Sequence, residues 1–178
     1  LFPVPFFRWW VKVSAAMRIA LYNLHFTTLG GGERRTALLA AHLAADHEVA
    51  IFSASSIDTP AIRELFGIDL SNLHVVVLPA SQEQHVAAIA AWQPDLFINN
   101  SYASRLPCPA PRGIYMCMFP QGTAQGLEGY QVITANSGYT QQWIERLWRR
   151  GAEVVYSAVE PIGPAAPKDK IILTVGRF

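Results

Sequence analysis

The chain has 178 residues, of which 51% are hydrophobic and 15% charged, with a net charge of +1. That composition describes a packed globular chain, too apolar for a disordered one and too weakly basic for a nucleic-acid binder. Cys108 and Cys117 lack metal-type spacing and read as small hydrophobes in a reducing compartment.

Residues 1–16, LFPVPFFRWWVKVSAA, read as an extension outside the domain proper, with Met17 directly before the first strand. Their charges follow the apolar part, which fits a signal peptide poorly. Trp9 and Trp10 beside Arg8 and Lys12 suit a membrane surface. Pro3 and Pro5 argue against a long helix there, and an upstream extension of no function is an equal reading. No run of about 18 apolar residues exists, so no spanning helix is expected.

The stretch that organises the chain is 18–35, RIALYNLHFTTLGGGERR. Ile19–Tyr22 is short and apolar, as a parallel strand covered on both faces should be. Gly30, Gly31 and Gly32 follow, then a helix beginning at Glu33 and running to about 46. The start of a helix carries unpaired N–H groups and partial positive charge. Glycines there let a ligand approach the backbone, so the junction suits phosphate. Arg34 and Arg35 add positive charge, and Glu33 suits the helix dipole; a plain tight turn is the competing reading.

HEVAIFSAS supplies a second strand at 48–53, and 58–66 a short helix with Pro60 at its start. A third strand covers 73–80 and is stopped by Pro79. Ser81 caps a helix over 82–92, with Ala87, Ala88, Ile89 and Trp92 inward. PDLFINN gives a strand at 95–99, whose end brings Asn99 and Asn100 toward a cleft or into loop capping. After a proline-rich loop come strands at 113–119 and 130–136. Asn136-Ser137 opens a helix over 138–150, covered by Trp143, Leu147 and Trp148 and stopped by Arg149-Arg150-Gly151. AEVVYSAV is a seventh strand, 158–169 a proline-rich linker, and 170–178 a further apolar strand. Continuously apolar strands alternating with helices imply an α/β, doubly wound, Rossmann-like parallel sheet over 17–157. The five histidines form no metal set, and no serine–histidine–acid arrangement can be placed. His25, in the loop after the first strand, is a lesser candidate for substrate contact.

In order and spacing, four segments resemble the retaining glycosyltransferases of the two-Rossmann-domain type (GT-B, family 4), the mannosyltransferase-like group. They are Gly30–Arg34, 114–120 (IYMCMFP), 133–144 (ITANSGYTQQWI) and 171–178 (IILTVGRF). The resemblance implies that 17–157 is the acceptor-side domain and that 170–178 opens a truncated donor-binding domain. It implies transfer of a sugar from a nucleotide-sugar donor to a saccharide or lipid-linked acceptor, with retention and without a required metal or other cofactor. Gly30, Gly31, Gly32, Glu33, Arg34 and Asn100 would lie at the cleft, and Arg177 would pair with the donor diphosphate. A cytoplasmic protein is implied, with a peripheral contact at the inner membrane face left open. Two departures matter. Met118 stands where many relatives carry a histidine, and the paired glutamates of the donor half are not in the sequence. Catalytic residues are therefore unassigned, and the piece alone is expected to be inactive.

Two rivals are weighed. A nicotinamide-dependent dehydrogenase lacks its G-x-G-x-x-G and the acid after the second strand, which ends Phe52-Ser53-Ala54; a P-loop lacks its Gly-Lys-Ser/Thr. A non-catalytic sugar-phosphate or lipid-phosphate binder remains the alternative.

Overall fold

The computed structural model describes residues 16–159. Arg177, the extension through residue 15 and the stretch from 160 onward, with its expected linker and strand, lie outside the described residues.

Seven strands form one all-parallel sheet in the order β3-β2-β1-β4-β5-β6-β7. They are β1 (Arg18–Tyr22), β2 (Glu48–Ser53), β3 (His74–Val77), β4 (Leu96–Asn99), β5 (Arg112–Cys117), β6 (Val132–Ala135) and β7 (Glu153–Val154). The helices are α1 (Gly31–Leu43), α2 (Thr59–Phe66), α3 (His85–Ala91) and α4 (Gly138–Trp148). Strand side chains alternate between two cores. Ile19, Leu21, Val49, Ile51 and Ile98 pack with Ala37 and Ala40 of α1 and Ile62 of α2. Ala20, Tyr22, Phe52, Phe97 and Tyr115 pack on the opposite face with Ile89 of α3 and with Ile144 and Trp148 of α4. Both faces of the inner strands are thus covered, which is why their middles are apolar. The fold is the expected doubly wound one.

Several local expectations shift. The first helix starts at Gly31, not Glu33, and takes two of the glycines into its first turn. First-turn amides need no acceptor inside a helix, and Gly30, with extended backbone, serves as N-cap. Ser81 makes no side-chain cap; Gln82–Gln84 forms a 3₁₀ turn, and α3 begins only at His85. Ala87 is exposed, and buried His85 takes the inward place instead. Its ring lies 3.2 Å from the Tyr22 hydroxyl and 2.9 Å from the Pro79 carbonyl, partners from other elements that the helix period does not reveal. In α4 the inward residues are Thr140, Ile144 and Trp148, while Leu147 lies outside. This helix is closed by Arg149 in the left-handed region (φ 54°), ahead of Gly151. The seventh strand pairs over two residues only.

The strand order reverses between β1 and β4. Tyr22 and Asn99 are the last register pair there. Just beyond them, at the carboxyl edge, Asn23 and Asn100 leave the sheet, and the Asn100 N–H donates to Tyr22 O at 2.9 Å. In sheets of this kind, ligands bind in the crevice outside such a reversal.

Candidate functional site

The loop after β1 crosses this edge and enters α1 through the glycines. Leu29 takes a left-handed φ of 43°, which turns the chain into the glycine run. Gly30 N–H donates to Glu33 Oε2 at 2.6 Å, and the Thr28 hydroxyl donates to the same oxygen at 3.3 Å. Glu33 is thus a clamp that holds the loop to the first helical turn, the half of a capping box that a glycine N-cap permits. Arg34 N–H closes the first helical bond to Gly30 O at 3.0 Å. The amides of Gly31, Gly32 and Glu33 have no acceptor among the described residues.

A polar rack beneath the loop fixes that turn. Thr36 donates to Gly32 O at 3.0 Å. The Asn100 side-chain NH₂ donates to Gly32 O at 3.1 Å and to Thr36 Oγ1 at 2.6 Å. Asn23 donates to Thr36 Oγ1 at 3.1 Å. Asn100 in turn accepts a hydrogen bond from the Arg35 guanidinium. Asn100 is 0% exposed, so it sits behind the crevice and acts on it through Arg35 and Gly32. Its neighbour Asn99 is a loop-capping residue, donating to Ser104 Oγ at 3.1 Å and to the Tyr130 hydroxyl at 2.9 Å.

Two hollows flank Gly32. The first, about 390 Å³, is lined by Gly31, Gly32, Arg34, Arg35, Leu38, Met118, Asn136 and residues 157–159. The second, about 350 Å³, is lined by Asn23, His25, Thr28, Gly32, Glu33, Tyr102 and Met118. A Cβ built on Gly31 meets nothing within 4 Å, so the approach to its backbone is open. A Cβ on Gly32 would stand 2.9 Å from the Met118 methyl carbon.

The first hollow is electropositive. Arg35 contributes a guanidinium whose pKa burial lowers, with the nearby Cys117 acting in the other direction; an arginine so placed still carries its charge at neutral pH. Arg34 donates to the Ala158 carbonyl at 3.0 Å across the mouth. Asn136 accepts from the Thr140 hydroxyl at 2.6 Å through Oδ1, which leaves its NH₂ without a partner among the described residues. Ser137 is the N-cap of α4, accepting from Thr140 N–H at 3.2 Å. Cys117, the residue before Met118, is buried and lines neither hollow, and burial pushes its thiol up to about 12, against the pull of the Arg35 and Arg105 charges.

Of the residues singled out by sequence, Gly31, Gly32 and Arg34 line the first hollow, and Gly32 and Glu33 the second. Gly30 shapes the turn without lining either. Arg35, read from the sequence as added positive charge beside the glycines, and Asn136, read as the opening of the last helix, also line the first hollow. Arg35 follows Gly31 by four residues, one helical turn, and that spacing is the signal that puts it beside the glycines. The sequence matches no protein-family model, and it matches no curated protein. Among the described residues no helix is long and apolar enough to cross a membrane.

Proposed function

We propose that this chain is the acceptor-side half of a retaining, GT-B type glycosyltransferase, whose crevice takes a phosphate-bearing group of the donor or acceptor. One observation carries the reading. Open glycine amides at a helix start, two arginines and an asparagine NH₂ surround a single hollow at the reversal point of a doubly wound sheet. Guanidinium groups suit phosphate because they can bind two oxygens at once. Charge that develops on a leaving diphosphate is stabilised by such fixed donors without reorganisation. The nucleotide-sugar donor is a substrate in this scheme, and no metal is invoked. The acceptor is a saccharide or a lipid-linked saccharide, and a lipid-linked one brings the protein to a membrane surface.

One observation favours a second reading, a binder without turnover. Among the described residues, the first hollow has Met118 where a general acid or base would be sought, and no acid, histidine or reactive thiol lines it. The full-length protein decides between them. Incubated with uridine and guanosine diphosphate sugars and a lipid or saccharide acceptor, the enzyme releases nucleoside diphosphate in step with labelled product, and Arg35→Met loses both. Binding of the sugars with no release by wild type overturns the enzyme reading and leaves the binder.

A further inference from the structure

Gly32 and Met118 are the residues common to both hollows. Met118 follows β5 and reaches across the crevice until its methyl carbon rests against the Gly32 backbone, 2.9 Å from where a side chain would begin. Thr140 Oγ1 lies 3.3 Å from its carbonyl oxygen, although that hydroxyl gives its one proton to Asn136. The Met118 side chain is unbranched and has three rotatable bonds, so the tip moves at small cost. The two sides of this thioether differ in charge. One side has Arg34, Arg35, the helix start and the Asn136 NH₂. The other has His25, Thr28, Tyr102 and Glu33, whose Oε2 is held by the loop while Oε1 has no partner among the described residues. An anion is drawn to the first side and repelled by the carboxylate on the second; a neutral hydroxyl group finds an acceptor in that carboxylate.

We propose that Met118 is a specificity-determining partition: its thioether divides the crevice into an anion hollow and a hydroxyl hollow, so that the ligand is a phosphorylated polyhydroxy compound lying across it. The proposal rests on the anion-binding reading of the first hollow. It adds which end of the ligand lies where, and which side chain measures the distance between the two ends. It also gives Gly32 a second constraint, because any side chain there would displace the partition.

The test is calorimetric titration of the full chain with inorganic phosphate, glucose 1-phosphate and glucose, for wild type, Met118→Leu, Met118→Ala and Met118→Phe. Wild type binds glucose 1-phosphate more tightly than phosphate, and glucose most weakly. Met118→Phe, which thickens the partition, weakens glucose 1-phosphate about tenfold and leaves phosphate within about twofold, the discrimination that a change of one small apolar group in a pocket supplies. Met118→Ala changes glucose 1-phosphate alone, and Met118→Leu, close in volume, changes it less than Met118→Ala does while phosphate stays within about twofold, which shows that the fold tolerates exchange here. Equal changes for phosphate and glucose 1-phosphate, or none, overturn the partition while leaving the anion hollow in place. Failure of wild type to bind phosphate removes the hollow's reading and the partition together.

Discussion

Gly31 offers a perturbation whose effects on stability and on binding have opposite signs. It occupies the first position of α1 with ordinary helical backbone, and a Cβ there meets nothing within 4 Å. Alanine at such a site removes freedom from the unfolded chain without straining the folded one, which stabilises by about 0.4–1 kcal/mol. For a domain of this size that raises Tm by roughly 1–4 °C. The space a side chain would enter is the first hollow, where the Gly31 amide is the exposed donor. Gly31→Leu therefore keeps the fold and blocks the anion. Denaturant unfolding with and without phosphate reads both effects. Wild type gains about 2.7 kcal/mol when phosphate is present at a hundred times its Kd. Gly31→Ala starts more stable and gains less; Gly31→Leu stays folded and gains nothing. A destabilised Gly31→Ala contradicts the open geometry. A Gly31→Leu variant stabilised by phosphate as fully as wild type refutes the placement of the ligand.

The buried tyrosines set the alkaline limit. Burial raises Tyr22 to about 12, and raises Tyr115 and Tyr130 further, while Cys117 rises to about 12. Groups whose folded pKa is raised contribute stability that is complete below the unfolded pKa and lost as pH climbs through the folded one. The urea midpoint is therefore flat from neutrality to about pH 9 and falls above it. Tyrosinate absorbance from these three rings appears together with loss of near-ultraviolet dichroism, and titration of all six tyrosines near pH 10 in a folded chain would refute this. Asn100→Ala removes the acceptor of Arg35 and two donors from the rack, costing about 1–3 kcal/mol in denaturant unfolding; a neutral change means the rack does not hold the turn. Arg105 gathers the carbonyls of Gln121, Thr123 and Gln125 and lies 5.6 Å from the Trp148 ring centre. Arg105→Met frees the 121–126 loop, so limited proteolysis mapped by mass spectrometry cuts there first, at little cost in global stability. Unchanged protease resistance would show that the loop is held by other contacts.

The inner strands were legible because helices cover both their faces, so a short apolar run is the whole signal; the edge strands β3 and β7 are partly exposed, and β7 pairs over two residues only. The shifts at the helix ends have one physical source. Glycine disfavours helix locally, which argues for a start at Glu33, yet Gly32 O accepts hydrogen bonds from Thr36 and from Asn100, 68 positions away. The start of α3 likewise depends on His85 being held by Tyr22, 63 positions away. Partners so distant in sequence leave no periodic trace. The left-handed Arg149 is of the same kind: Gly151 is the better local candidate, but the Arg150 guanidinium, bound to the carbonyls of Leu127 and Tyr130, pins the chain one residue beyond the cap.

The crevice combines a local signal with a topological one. The glycine run after an apolar strand is visible in one dimension, and Gly31, Gly32 and Arg34 do line a hollow. Asn100, Met118 and Asn136 join them because each follows the carboxyl end of a strand, and β1, β4, β5 and β6 are neighbours in that order. In a parallel sheet every such end lies on one edge, so strand order alone places the glycine loop, the asparagine behind it, the methionine across it and the asparagine beside it in sequence along the crevice. The sequence reading met Met118 only as the place where relatives carry a histidine, and Asn136 only as the opening of a helix; strand order is what brings both to the crevice. The choice between the two arginines needs more, because Arg34 and Arg35 are adjacent and equally charged. What separates them is the hydrogen bond from Arg35 to Asn100, a residue aligned with α1 only after β4 has docked beside β1. The cation is thus aimed by the same strand reversal that opens the crevice, and the anion site depends on the order of the sheet as well as on the glycines.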